Sequence, residues 1–85
     1  MTRLPQPPIE LAVSLDQNGL PVRFLWGTTR YTVVRIVEQW QVDTDWWCEN
    51  PVSYRAYGLL TSAGVRFDIY FDHLQSGWFL DRIYD

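Results

Sequence analysis

Between Val65 and Asp72 the chain alternates without a break. Val65, Phe67, Ile69 and Phe71 fall on one side of an extended backbone, and Arg66, Asp68, Tyr70 and Asp72 on the other. A period of two marks a strand with one covered face, and no other stretch carries helical periodicity of useful length. Ile9 to Leu15 alternates in the same way, Val22 to Trp26 follows, and Tyr31 to Trp40 is rich in β-branched residues. That third segment is apolar on both faces near its middle, which predicts a central or strongly curved strand. Tyr54 to Thr61 and Trp78 to about Tyr84 complete the set.

The connections fit this reading. Asp16-Gln17-Asn18-Gly19, Gly27-Thr28-Thr29-Arg30, Ser62-Ala63-Gly64 and the stretch from Asp72 to Gly77 all carry turn residues. Gln41 to Ser53 breaks the pattern and reads as a long loop with room for one helical turn. The expected fold is all-β: an antiparallel meander of about six strands. It forms a small curled sheet or an SH3-like, partly open barrel, since so short a sheet must roll up to bury one face and limit its edges. Residues 1–8 hold Pro5, Pro7 and Pro8 and are expected to form a flexible arm, leaving 9–85 as a single domain.

A chain of 85 residues buries a modest fraction of its surface, so large side chains must do most of the filling. Five Trp, five Tyr and four Phe supply them, each able to bury roughly 150–250 Å². One cysteine, Cys48, permits no disulfide within the chain, which favours a reducing, cytoplasmic setting. The N-terminus has no long apolar run and reads as neither leader nor membrane span. All seven cations are Arg, set against ten carboxylates for a net charge of −3. That balance disfavours a protein that grips duplexes mainly by neutralising phosphates.

Few residues invite chemistry. Cys48 and His73 are too few for a zinc site, and Asp43-Thr44-Asp45 lacks the remainder of a calcium loop. No cofactor is expected, and no nucleophile stands beside a sequence-adjacent base, so the domain is not expected to be an enzyme. Asp68 and Asp72 share a strand face and could do acid–base work, but solvation of an outer face is the simpler role. The aromatics carry the remaining signal. Trp46 and Trp47 are adjacent and cannot both point into one core, whereas Arg55 and Tyr57 share a face. Trp46, Trp47, Arg55 and Tyr57 therefore form the candidate interaction surface. Exposed Trp beside Arg suits a contact with a protein or stacking on nucleic-acid bases.

The order of several short motifs resembles a small bacterial family of unknown function. They are Pro21-x-x-Phe24-x-Trp26-Gly27, Tyr31-x-Val33, Trp40, Trp46-Trp47, Tyr54-Arg55-x-Tyr57, Thr61-x-x-Gly64, Ile69-Tyr70-x-Asp72 and Trp78-Phe79-Leu80-x-Arg82-x-Tyr84-Asp85. The pattern is similar to the C-terminal segment of ImuB-like Y-family polymerase homologues. There an Arg-Asp-Tyr-Tyr step often stands where this chain has Tyr54-Arg55-Ala56-Tyr57. The resemblance implies a non-catalytic accessory module of bacterial DNA damage tolerance, docking a polymerase or repair protein. Single-stranded nucleic-acid binding through aromatics with Arg30, Arg35 or Arg55 is the alternative, and a small-molecule barrel a third. Self-association is a further expectation, and no membrane partner is implied.

Overall fold

The computed structural model describes residues 9–44 and 52–84. Six strands follow one another: β1 (Ile9–Leu15), β2 (Pro21–Trp26), β3 (Thr29–Asp43), β4 (Ser53–Thr61), β5 (Arg66–Asp72) and β6 (Gly77–Tyr84). Every neighbouring pair is antiparallel, and β1 also pairs with β6, so the meander closes into a barrel. Closure depends on β1 dividing its partners. Ile9 to Leu11 pair with β6, and Ala12 to Leu15 with β2. The expected small all-β barrel of six antiparallel strands is thereby found, and its first and last strands are paired.

The inward row of each strand builds the core. Leu11, Phe24, Tyr57, Leu59, Phe67, Ile69 and Leu80 form one buried cluster, with Val33, Ile36 and Trp78 packed against it. Phe67 sits at its aromatic centre, with ring centroids 5.0 Å from Phe24, 4.6 Å from Tyr31 and 6.0 Å from Trp26. The interior is filled by side chains.

The apolar middle of β3 is explained by two bulges. Register shifts between Val33 and Arg35 and between Ile36 and Glu38 leave Val34 and Val37 without cross-strand partners. Both face solvent, while Val33 and Ile36 pack on the core. Bulges bend and twist a strand, which lets one long strand serve the barrel and then run past it. The loop expected from Gln41 starts later, since Gln41, Val42 and Asp43 pair with Arg55, Tyr54 and Ser53. Residues 45–51 lie outside the described residues.

A second correction concerns β5, whose expected solvated face is largely covered. Asp68 is 4% exposed and Tyr70 2%. Tyr70 belongs to a second cluster with Tyr54, Ala56 and Phe79, against which Trp40, Val42 and Val52 pack. Burial pushes the Tyr70 hydroxyl up to about 12, helped by the negative field of Asp72. Asp72 does not simply solvate the face either: its Oδ1 accepts from the backbone N–H groups of Leu74 and Gln75 at 2.8 and 3.2 Å, holding the turn into β6.

A bulge in β6 creates a feature that alternation could not signal. Ile69 pairs with Leu80 but Asp68 with Arg82, so Asp81 is the extra residue and stands beside Arg82 and Asp68. Burial raises the Asp81 carboxyl above its ordinary value, the Asp68 charge raises it further, and Arg82 opposes both. A raised carboxyl in the folded state penalises folding once pH exceeds the ordinary value and relieves it below. Asp81→Asn is therefore expected to raise the melting temperature at neutral pH, with the gain disappearing below about pH 4. A gain that persists in acid would assign the effect to packing instead.

Candidate functional site at the barrel mouth

Beyond the core, β3, β4 and β5 continue as a short concave ledge. Gln41, Arg55, Phe71, Trp78 and Leu11 stand directly opposite one another across five strands. Residues paired in this way share a face, so this row crosses the mouth from a polar edge to the core. The next row inward is Tyr57, Ile69 and Leu80, already part of the buried cluster. Arg55 and Tyr57 do share a face, as the alternation predicts, but with different exposure. Arg55 is open to solvent, whereas Tyr57 is 3% exposed because Trp78 lies over it at 5.5 Å between ring centroids. Tyr57 thus forms the floor of the mouth and not a protruding contact.

Two aromatic neighbours continue the surface. Phe71 lies 5.3 Å from Trp78, and His73 meets Phe71 edge-on at the same separation. The His73 backbone N–H donates to the Ser53 carbonyl at 2.9 Å, which ties the start of the β5–β6 turn to β4. Leu15, the last residue of β1, and Gly19, in the β1–β2 turn, supply the opposite lip. Gly19 has φ of +80°, a conformation that a side chain would strain. Together these residues enclose an open cavity of about 200 Å³. That is smaller than a typical metabolite pocket and suits one inserted side chain or base.

The polar edge is a chain of hydrogen bonds. Arg55 Nη2 donates to Gln41 Oε1 at 3.2 Å, and Gln41 Nε2 donates to Asp43 Oδ2 at 2.6 Å. Ser53 Oγ donates to Asp43 Oδ1 at 2.6 Å. The Ser53 hydroxyl, then the Gln41 amide, hold the Asp43 carboxyl below its ordinary value, with a small contribution from His73. Both Asp43 oxygens are therefore occupied, and Gln41 spaces Arg55 from that charge. Among the described residues the Arg55 guanidinium bonds Gln41 alone, leaving further donors for a ligand.

The candidate residues Trp46 and Trp47 lie outside the described residues. The positions flanking that segment are tied together: Thr44 N–H donates to the Val52 carbonyl at 2.9 Å, and Val52 N–H to Thr44 Oγ1 at 2.7 Å. Sequence reasoning missed Phe71, His73 and Trp78. Phe71 falls on the covered face of its strand by alternation, which does not show that it reaches the mouth. The recoverable signal was register, because pairing Arg55 with Phe71 follows from the short β4–β5 hairpin.

Among the described residues no group of three or more His, Cys, Asp or Glu is placed to hold a metal ion. No helix among the described residues is long and apolar enough to cross a membrane.

The profile of a family described as "Domain of unknown function (DUF6504)" matches residues 3–85. The chain belongs to the DUF6504 family. No curated protein and no solved structure matches it. The match spans all six strands, so the ledge and its aromatic row lie within the matched residues.

Proposed function

We propose that this DUF6504 domain is a non-catalytic binding module that docks a protein partner at the barrel mouth. The reading is carried by the Gln41–Arg55–Phe71–Trp78 row, where a solvent-facing guanidinium stands beside an aromatic wall over a closed floor. Trp and Arg in a partly enclosed pocket are the residue types that dominate protein contacts. The cavity has room for one aromatic or aliphatic side chain, and Arg55 would receive an adjacent carboxylate or carbonyl. Among the described residues lining it, His73 is the one candidate general base, and its ring packs edge-on against Phe71. That packing supports a contact role over an acid–base one.

The resemblance to the tails of ImuB-like Y-family polymerases supports a place in bacterial DNA damage tolerance, with such a polymerase or an associated repair protein as partner. Base stacking on Phe71 and Trp78 beside Arg55 is the competing reading. The filled interior weighs against a small-molecule barrel.

Calorimetric titration with an ImuB-like polymerase homologue tests the proposal. Arg55→Ala is expected to weaken binding by about tenfold while leaving the melting temperature nearly unchanged, because Arg55 is exposed and, among the described residues, its side chain bonds Gln41 alone. Unaltered affinity in that variant, or quenching of Trp fluorescence by oligothymidylate in place of protein binding, would overturn it.

A further inference from the structure

Away from the mouth, the outer face of β1, β2 and β3 has an unusual make-up. Ser14, Arg23 and Thr32 form one cross-strand row, and Ala12, Leu25 and Arg30 the next. Arg23 and Arg30 are thus diagonal neighbours, close enough to repel each other. Both line an open depression of about 440 Å³ with Leu25 and Ser14. Arg35 continues the positive charge along the outer side of β3, where it pairs with Leu60.

None of these three cations has a carboxylate partner among the described residues. Both ion pairs found there belong to Arg66. The nearest acidic groups in sequence are otherwise engaged. Glu38 binds Arg66 at 3.3 Å, and Asp16 Oδ1 accepts from the N–H groups of Asn18 and Leu20 at 2.8 and 3.0 Å. A protein with a net charge of −3 has carboxylates in excess, yet these three Arg on one side have no ion pair among the described residues. Between and beside them stand exposed aliphatic groups: Leu25 is 38% exposed, Val34 58% and Val37 38%. Val34 and Val37 are the two bulge residues of β3, so the bulges bring apolar side chains to the same outer side as Arg35.

We infer that this face is a second interaction surface, built for an acidic protein segment that carries aliphatic side chains. Arg23, Arg30 and Arg35 meet its carboxylates, and Leu25, Val34 and Val37 cover its apolar residues. The chemistry separates this occupant from nucleic acid. Phe24, Trp26 and Tyr31 pack inward on Phe67, and Trp40, at the far end of β3, packs on the Tyr54–Tyr70 cluster, which leaves no stacking platform beside the three Arg. The net negative charge also opposes a long phosphate backbone more than a short peptide. This surface is distinct from the mouth and does not depend on the role given to Arg55.

Fluorescence anisotropy with a labelled peptide of mixed Glu, Asp and Leu residues tests the inference. The wild-type domain is expected to bind, with affinity falling as salt is added. Arg23→Gln and Arg30→Gln are each expected to weaken binding several-fold, and the double variant by about tenfold or more. Melting temperatures should stay near wild type because neither side chain has an ion-pair partner among the described residues. Arg55→Ala should bind the peptide normally, which separates this face from the mouth. No binding, binding insensitive to both Arg substitutions, or Arg-dependent binding of oligothymidylate without peptide binding would each overturn the inference. So would concentration-dependent dimerisation abolished by the double variant, since the occupant would then be a second copy.

Discussion

Replacing Phe67 with Ala is expected to remove most of the stability of the domain. Phe67 is 1% exposed and meets Phe24, Trp26 and Tyr31, all within 6.0 Å between centroids. Its loss opens a cavity that three rings from β2 and β3 cannot collapse into, because each is fixed by its own strand. Truncation of a buried Phe costs about 3–5 kcal/mol. For a domain of this size that lowers the melting temperature by about 12 °C or more. Thermal unfolding followed by circular dichroism checks the figure. A fall of only a few degrees would mean that the rings do not form the fold's packing centre.

Arg66→Met is expected to have the next largest effect, and the reason is Asp68. In the row Glu38, Gly58, Asp68 and Arg82, Gly58 leaves a gap through which the Arg66 side chain passes. A Cβ built there would lie 2.6 Å from Arg66 Nη2. Arg66 Nε then donates to Asp68 Oδ1 at 2.9 Å, Nη1 reaches Glu38 Oε1 at 3.3 Å, and the guanidinium lies 4.9 Å from the Tyr84 ring centroid. The Asp68 side chain retains 6% exposure, so without Arg66 its charge is stranded. Breaking a buried pair from one side costs about 3–5 kcal/mol. Arg66 keeps 26% exposure, which places the expected loss at about 2–3 kcal/mol. Removing both partners, as Arg66→Met with Asp68→Leu, should recover much of that loss, because no buried charge remains. Gly58→Ala should give a milder form of the single defect by pushing the guanidinium aside. A double variant no more stable than the single would contradict this account.

Both effects depend on register, and register marks the boundary of what the sequence made legible. The six strands, their antiparallel order and the tight turns follow from alternation and turn residues, because those signals are local. The bulges are not local. Val34, Val37 and Asp81 look like ordinary strand residues, and only the pairing of Val33 with Thr61, Arg35 with Leu60 and Arg82 with Asp68 makes them extra. Each bulge moved charge or apolar surface outward: Val34 and Val37 beside Arg35, and Asp81 beside Asp68. Strict alternation likewise misplaced Tyr70, since it assumes that one face of a strand stays wet. In this barrel a second cluster covers that face.

The mouth was half legible for the same reason. Alternation alone put Arg55 and Tyr57 on one face. That Trp78 would roof Tyr57, and that Phe71 and His73 would extend the aromatic wall, required knowledge of which strands become neighbours. His73 adds a further lesson, since its position in a turn gave no hint of the Phe71 ring it packs against.

The proposal that the domain works by contact at its mouth is tested most directly by proton–nitrogen correlation spectra recorded while an ImuB-like polymerase homologue is added. The expected result is that shifts concentrate on Arg55, Phe71, His73 and the Trp78 indole N–H, with the outer residues Arg23 and Arg30 unmoved. Shifts absent from those four positions, or confined to other faces of the barrel, would contradict it.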